Sequence, residues 1–146
     1  MAPFLAKTLD AKTGYVLDDS GAYGVGLADA FVAGARSADM TIMGRDSLDP
    51  KQVDYTTALT KIKALGPQAL FYRGDLQAGA KVAKQSYEII PQTIKGGGGG
   101  FIERVGFPAA EGWYVALTAG PRPRWSSPGS STIVGSPVSE IAEVVR

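Results

Sequence analysis

The chain has 146 residues, 45% apolar and 20% charged, with 15 basic against 14 acidic side chains and neither histidine nor cysteine. This balance fits one globular core. It excludes a Ser-His-Asp triad, a Cys-His pair, a thiolate nucleophile and any His/Cys zinc site, and no basic stripe is present that would release counterions from nucleic acid.

Taken in chain order, Met1 to Leu9 reads as a leading helix, since Phe4, Leu5 and Leu9 are spaced for one face. Thr13-Gly-Tyr-Val-Leu17 is the first strand, stopped by Asp18-Asp19-Ser20-Gly21, residues that favour turns and helix N-caps. A helix over Tyr23–Ala38 follows, with Leu27, Ala30, Phe31 and Gly34-Ala35 forming its apolar stripe. Met40-Thr-Ile-Met43 is the second strand, Ser47-Leu-Asp-Pro50 a loop, and a helix starting near Gln52 buries Leu59, Ile62 and Leu65 until Gly66-Pro67 ends it. Ala69-Leu-Phe-Tyr72 is the third strand and Arg73-Gly74-Asp75 its end, after which Leu76 to Ile89 has helical period. A fourth strand, Gln92 to Lys95, runs into five glycines, Gly96 to Gly100, read as a loop. After a short helical or irregular piece from Phe101 to Ala110, Gly112 to Leu117 is the fifth strand, with one ring of Trp113-Tyr114 expected in the core and the other facing a partner surface.

Composition changes at Gly120: 13 of the last 27 residues are Gly, Pro or Ser. The expected division is a lobe over 1–119 and a Gly/Pro/Ser-rich tail over 120–146, with a short final helix possible over Val138–Val145. No stretch has the unbroken apolar length of a membrane span, and the first ten residues lack the pattern of a secretion signal.

Strands alternating with helices predict an α/β fold, a doubly wound parallel five-stranded sheet in the order 2-1-3-4-5 flanked by helices. That order sets the loops Asp18–Gly24, Tyr72–Asp75 and Gly96–Gly100 along one sheet edge, where open α/β sheets hold their ligands. The candidate ligand-binding residues are Asp19, Ser20, Tyr23, Arg73, Asp75 and Gly98. Each has a plainer reading. Asp19 and Ser20 suit a helix N-cap and turn, Tyr23 a packing ring, and Arg73 and Asp75 a surface ion pair. Gly24-Val-Gly26 begins like a dinucleotide fingerprint, but Asp29 stands where the third glycine belongs. No cofactor, metal or catalytic residue is expected. Asp18, Asp19 and Asp75 also loosely match the acidic set of phospho-acceptor receiver domains, although Asp75 lies beyond the third strand and Lys95 follows the fourth strand instead of the fifth.

The run Lys12-Thr-Gly-Tyr-Val-Leu-Asp-Asp-Ser-Gly-Ala-Tyr-Gly-Val-Gly-Leu-Ala-Asp-Ala-Phe31 resembles the opening of the second lobe of leucine/isoleucine/valine-type periplasmic binding proteins. Asp54-Tyr-Thr-Thr-Ala-Leu-Thr-Lys-Ile-Lys-Ala-Leu-Gly-Pro-Gln-Ala-Leu-Phe-Tyr72 and Phe107-Pro-Ala-Ala-Glu-Gly-Trp-Tyr114 are similar to later segments of that lobe, so the likeness covers about Phe4 to Leu117. It implies a periplasmic capture protein for an ATP-driven importer, not an enzyme, in which two α/β lobes close on an amino acid or related small acid. By the same resemblance Tyr23 is the tyrosine that packs on ligand, the family's second tyrosine falls at or near Asp75, and its ammonium-accepting carboxylate aligns with Gly98. The first lobe is absent from these residues, so weak or no binding by the chain alone is expected. The expected partners are a small amino acid or carboxylate, the missing lobe and an ABC permease, with self-association possible and no nucleic acid or membrane insertion. The Pro-Arg-Pro-Arg-Trp125 segment departs from the family's hinge and reads as replacing the native crossover. A structural remnant or oligomerising module without ligand is the alternative.

Overall fold

The computed structural model describes residues 1–98, 108–118, 132–134 and 140–144. Gly99, Gly100, the Phe101–Phe107 piece and the Gly120–Ser131 start of the tail lie outside the described residues. The elements are a leading π-helical segment Phe4–Thr8, β1 Thr13–Asp18, α1 Ala22–Ser37, β2 Thr41–Ser47, α2 Thr56–Leu65, β3 Ala69–Arg73, α3 Leu76–Ile89, β4 Ile94–Gly98, β5 Trp113–Thr118, β6 Thr132–Val134 and β7 Glu140–Val144. The strand order is β2-β1-β3-β4-β5-β7-β6. The first five strands are parallel to one another, in the order read from the sequence.

Parallel strands are covered on both faces, so consecutive side chains enter different cores. Tyr15, Leu17, Leu70 and Tyr72 point into a core shared with Leu59 and Ile62 of α2 and Val82 and Ala83 of α3. Val16, Ala69 and Phe71 point the other way, against Phe31 and Ala35 of α1 and against Leu5 and Ala6 of the leading segment. There the rings of Phe31 and Phe71 stack at 3.9 Å and 4°.

Several sequence expectations shift. The buried stripe of α1 is Gly24, Ala28, Phe31 and Ala35, which shares Phe31 and Ala35 with the predicted one, while Leu27 and Gly34 are half-buried and Ala30 is exposed. The helix expected from Gln52 begins only at Thr56. Asp49 holds the preceding residues in a turn by accepting from the N–H of Lys51 at 2.9 Å, and Tyr55 is pinned by its own N–H to Gln85 Oε1 at 2.8 Å. Leu65, expected to pack, is exposed. Gly66 ends α2 in the left-handed conformation, φ 66°, as its position implied.

Gly96 to Gly98 belong to β4 and are not loop. The close approach of other groups explains the lack of side chains: a Cβ on Gly96 would lie 3.3 Å from both Leu5 Cδ1 and Met1 Sδ. Trp113 is fully buried, as expected of one ring of the pair, whereas Tyr114 is half-buried with its ring packed on Phe4 at 5.3 Å.

The helix contemplated over Val138–Val145 is instead β7, antiparallel to β5 with Ala116 opposite Ala142 and Leu117 opposite Ile141. β5 would otherwise be an open edge of unpaired backbone groups, and the β-branched residues of Glu140–Val144 suit a strand. β6 adds to β7 antiparallel. The segment after Gly120 thus contributes two strands to the sheet.

Candidate ligand-binding site

The strand order reverses between β1 and β3, which places their carboxyl ends side by side: Asp18 is the register partner of Arg73, and Tyr72 that of Gly97 on β4. The loops after β1, β3 and β4 therefore meet at one edge.

Asp19 joins two of those loops. Its Oδ1 accepts from the Gly21 N–H at 3.0 Å and its Oδ2 from the Asp75 N–H at 2.7 Å. Two glycines make room for it. A Cβ on Gly24 would overlap Asp19 Oδ1, and one on Gly74 would lie 2.5 Å from Asp19 Cβ. Asp19 is thus a tie between β1 and β3 loops; the N-cap of α1 is Gly21, with no side-chain cap. Ser20 is exposed and takes the left-handed conformation, φ 64°, that turns the chain into α1.

Behind the edge, Asp18 is fully buried. It accepts from Arg45 Nε at 2.7 Å and from the Ser20 N–H at 2.9 Å, and Arg45 also reaches Asp29 and the Val25 carbonyl. Burial alone would raise the Asp18 carboxyl, but hydrogen bonds from Ser47, Ser20 and Arg45 outweigh it and hold it below its usual range. Arg45 escaped sequence reading because the second strand was ended at Met43. A strand carried on to Ser47 sets Arg45 and Ser47 beside Val16 and Asp18.

Tyr23, in the first turn of α1, is 69% exposed. Its hydroxyl accepts from Arg73 Nη2 at 2.9 Å, and the guanidinium carbon lies 5.5 Å from its ring centroid. Arg73 in turn rests on Gly98, where a Cβ would overlap its guanidinium. Any side chain at position 98 would have to displace the Arg73 guanidinium, and glycine supplies no carboxylate where the family resemblance aligns one.

Asp75 caps α3, its Oδ1 accepting from the N–H groups of Gln77 and Ala78 at 2.8 and 2.9 Å, so the surface pair with Arg73 does not form. The Tyr72 hydroxyl donates to the Asp75 carbonyl at 2.8 Å. Burial, and then the charges of Asp19 and Asp75, push that phenol well above its usual value. No group of carboxylates able to hold a metal ion occurs among the described residues. The structure therefore brings all six candidates to one edge, with Asp19, Ser20 and Asp75 shaping it and Tyr23 and Arg73 presented from it.

Comparison with known proteins agrees with this architecture. The chain is 33% identical over 100 residues to Leu/Ile/Val-binding protein homolog 3 of Brucella melitensis biotype 1, a match covering 68% of this chain and 27% of that protein. It is 31% identical over 99 residues to Leu/Ile/Val-binding protein BraC3 of Rhizobium johnstonii, covering 67% and 27%. The crystal structure of the leucine binding protein LivK from Thermotoga maritima superposes with a TM-score of 0.76 at 23% identity, over 88% of this chain and 37% of that one. The chain thus spans about a quarter of the length of these curated relatives. A family model described as periplasmic binding protein matches residues 1–134, and the chain belongs to that family.

Proposed function

We propose that this chain is one lobe, the second, of a solute-binding protein that serves an ABC importer in the periplasm, and that it takes an amino acid or related small acid without chemically altering it. The observation that carries the reading is the shared carboxyl edge of β1, β3 and β4, from which Tyr23 and Arg73 project beside Gly98. Relatives named for leucine, isoleucine and valine binding support the solute class. No helix among the described residues is long and apolar enough to cross a membrane.

One lobe provides half a cleft, whereas small ligands are held with most of their surface enclosed. The chain alone accordingly binds weakly or not at all, and its partners are the opposing lobe, the permease and, through surface the opposing lobe would cover, a second copy of itself. Calorimetric titration with leucine, isoleucine, valine and aromatic acids tests this. The expected result is no affinity tighter than millimolar for the chain alone and tight binding once a first lobe is joined to it. Micromolar binding by the chain alone, or none with both lobes present, overturns the proposal.

A further inference from the structure

Resting on the reading of this edge as half of a solute cleft, we infer that Arg73 is an anion anchor and that the solute it selects is a carboxylate with an apolar body and no ammonium group.

Arg73 is fixed in place before any ligand arrives. It ends β3 at the strand-order reversal, donates one N–H to Tyr23 Oη at 2.9 Å, and lies over the bare backbone of Gly98. A guanidinium carries five N–H donors, so four remain to grip the two oxygens of a carboxylate.

The nearby acids do not neutralise it. Asp18 accepts from Ser20 and Arg45, Asp19 from the N–H groups of Gly21 and Asp75, and Asp75 from those of Gln77 and Ala78. Among the described residues no carboxylate forms an ion pair with Arg73. The first turn of α1 opens beside it with neither a side-chain cap nor an acidic residue, which adds the positive end of a 16-residue helix. An ammonium at this point would meet a cation, and each nearby carboxylate already accepts hydrogen bonds from this chain's own donors. The rest of the solute has an apolar platform in the exposed ring of Tyr23, and Leu76 is also exposed at the start of α3.

The test uses three molecules with one carbon skeleton, leucine, isocaproate and isocaproamide, titrated to tens of millimolar against the 146-residue chain. NMR signals of the Arg73 Nε–H and the Tyr23 ring report binding at the edge. Isocaproate is expected to shift both with millimolar affinity, leucine to bind about tenfold more weakly, and isocaproamide to leave both unchanged. Arg73→Gln removes the isocaproate response, and Tyr23→Phe, which frees the guanidinium without removing it, weakens binding several-fold should the first variant fold poorly. Tighter binding of leucine than of isocaproate overturns the inference but leaves the cleft reading standing. No response at Arg73 or Tyr23 to any of the three also overturns the inference, whereas the cleft reading falls only to the two-lobe titration.

Discussion

The carboxylate of Asp19 and the backbone N–H of Asp75, 56 positions apart in the chain, are joined by a 2.7 Å hydrogen bond that fastens the loop after β1 to the loop after β3. Asp19→Ala removes the acceptor for two backbone donors, those of Gly21 and Asp75. It should lower stability by about 1–2 kcal/mol in urea unfolding and speed amide exchange at Asp75. Asp19→Asn, which keeps one acceptor oxygen, should lose less.

The buried Asp18 carboxyl makes stability depend on acid. Its folded value lies below the ordinary one, so its contribution is present in full above the unfolded value and is lost as pH falls through the folded value. Urea midpoints measured from about pH 5 down to pH 2 should fall steeply for the parent chain and less steeply for Asp18→Asn. At neutral pH that variant should be less stable by about 2–3 kcal/mol, because Arg45 keeps its charge and loses its innermost partner.

Lys95 gives a slope of the same sign at alkaline pH. It is buried, its ammonium donates to the carbonyls of Thr93 at 3.0 Å and Pro91 at 3.3 Å, and burial lowers its value from 10.5 to about 8. Between those two values the unfolded chain holds the proton and the folded chain does not, so stability should rise with pH across that window. Lys95→Met should abolish the rise and increase stability at pH 7 by about 1–2 kcal/mol, read by thermal unfolding at several pH values.

Phe31 and Phe71 form the central contact between α1 and the sheet. Phe31→Ala should cost about 3–4 kcal/mol in chemical denaturation. Phe31→Leu, which refills much of the space, should cost less than half of that.

The strand order was legible because alternating apolar runs and helical periods leave few topologies for a parallel sheet. The six candidate positions were legible for the same reason, since order alone assigns loops to an edge. Roles were not. Asp19 has the composition of an N-cap, and only the approach of Asp75 from a distant loop makes it a tie. Arg45 and Asp46 were missed because Gly44 reads as a strand end, whereas it is bare so that the Tyr15 ring can lie on it, with the Tyr15 hydroxyl donating to Asp46 at 2.7 Å. Lys95 stands in the sequence only as the end of the fourth strand, and its burial follows from contacts that no local pattern encodes. β7 was hidden because Val138–Val145 suits either regular structure until the free edge of β5 decides.

The glycines of β4 have a consequence for how the protein tolerates change. A low-complexity run invites the expectation that any small residue would serve, yet Gly96 is pressed by Leu5 and Met1, and Gly98 by Arg73. In a saturation library a larger residue at either codon should be tolerated only where those side chains can shift aside. Second-site suppressors of a Gly96 lesion should arise at Leu5 or Met1, and those of a Gly98 lesion at Arg73, so that the two halves of one monotonous tract follow separate genetic fates.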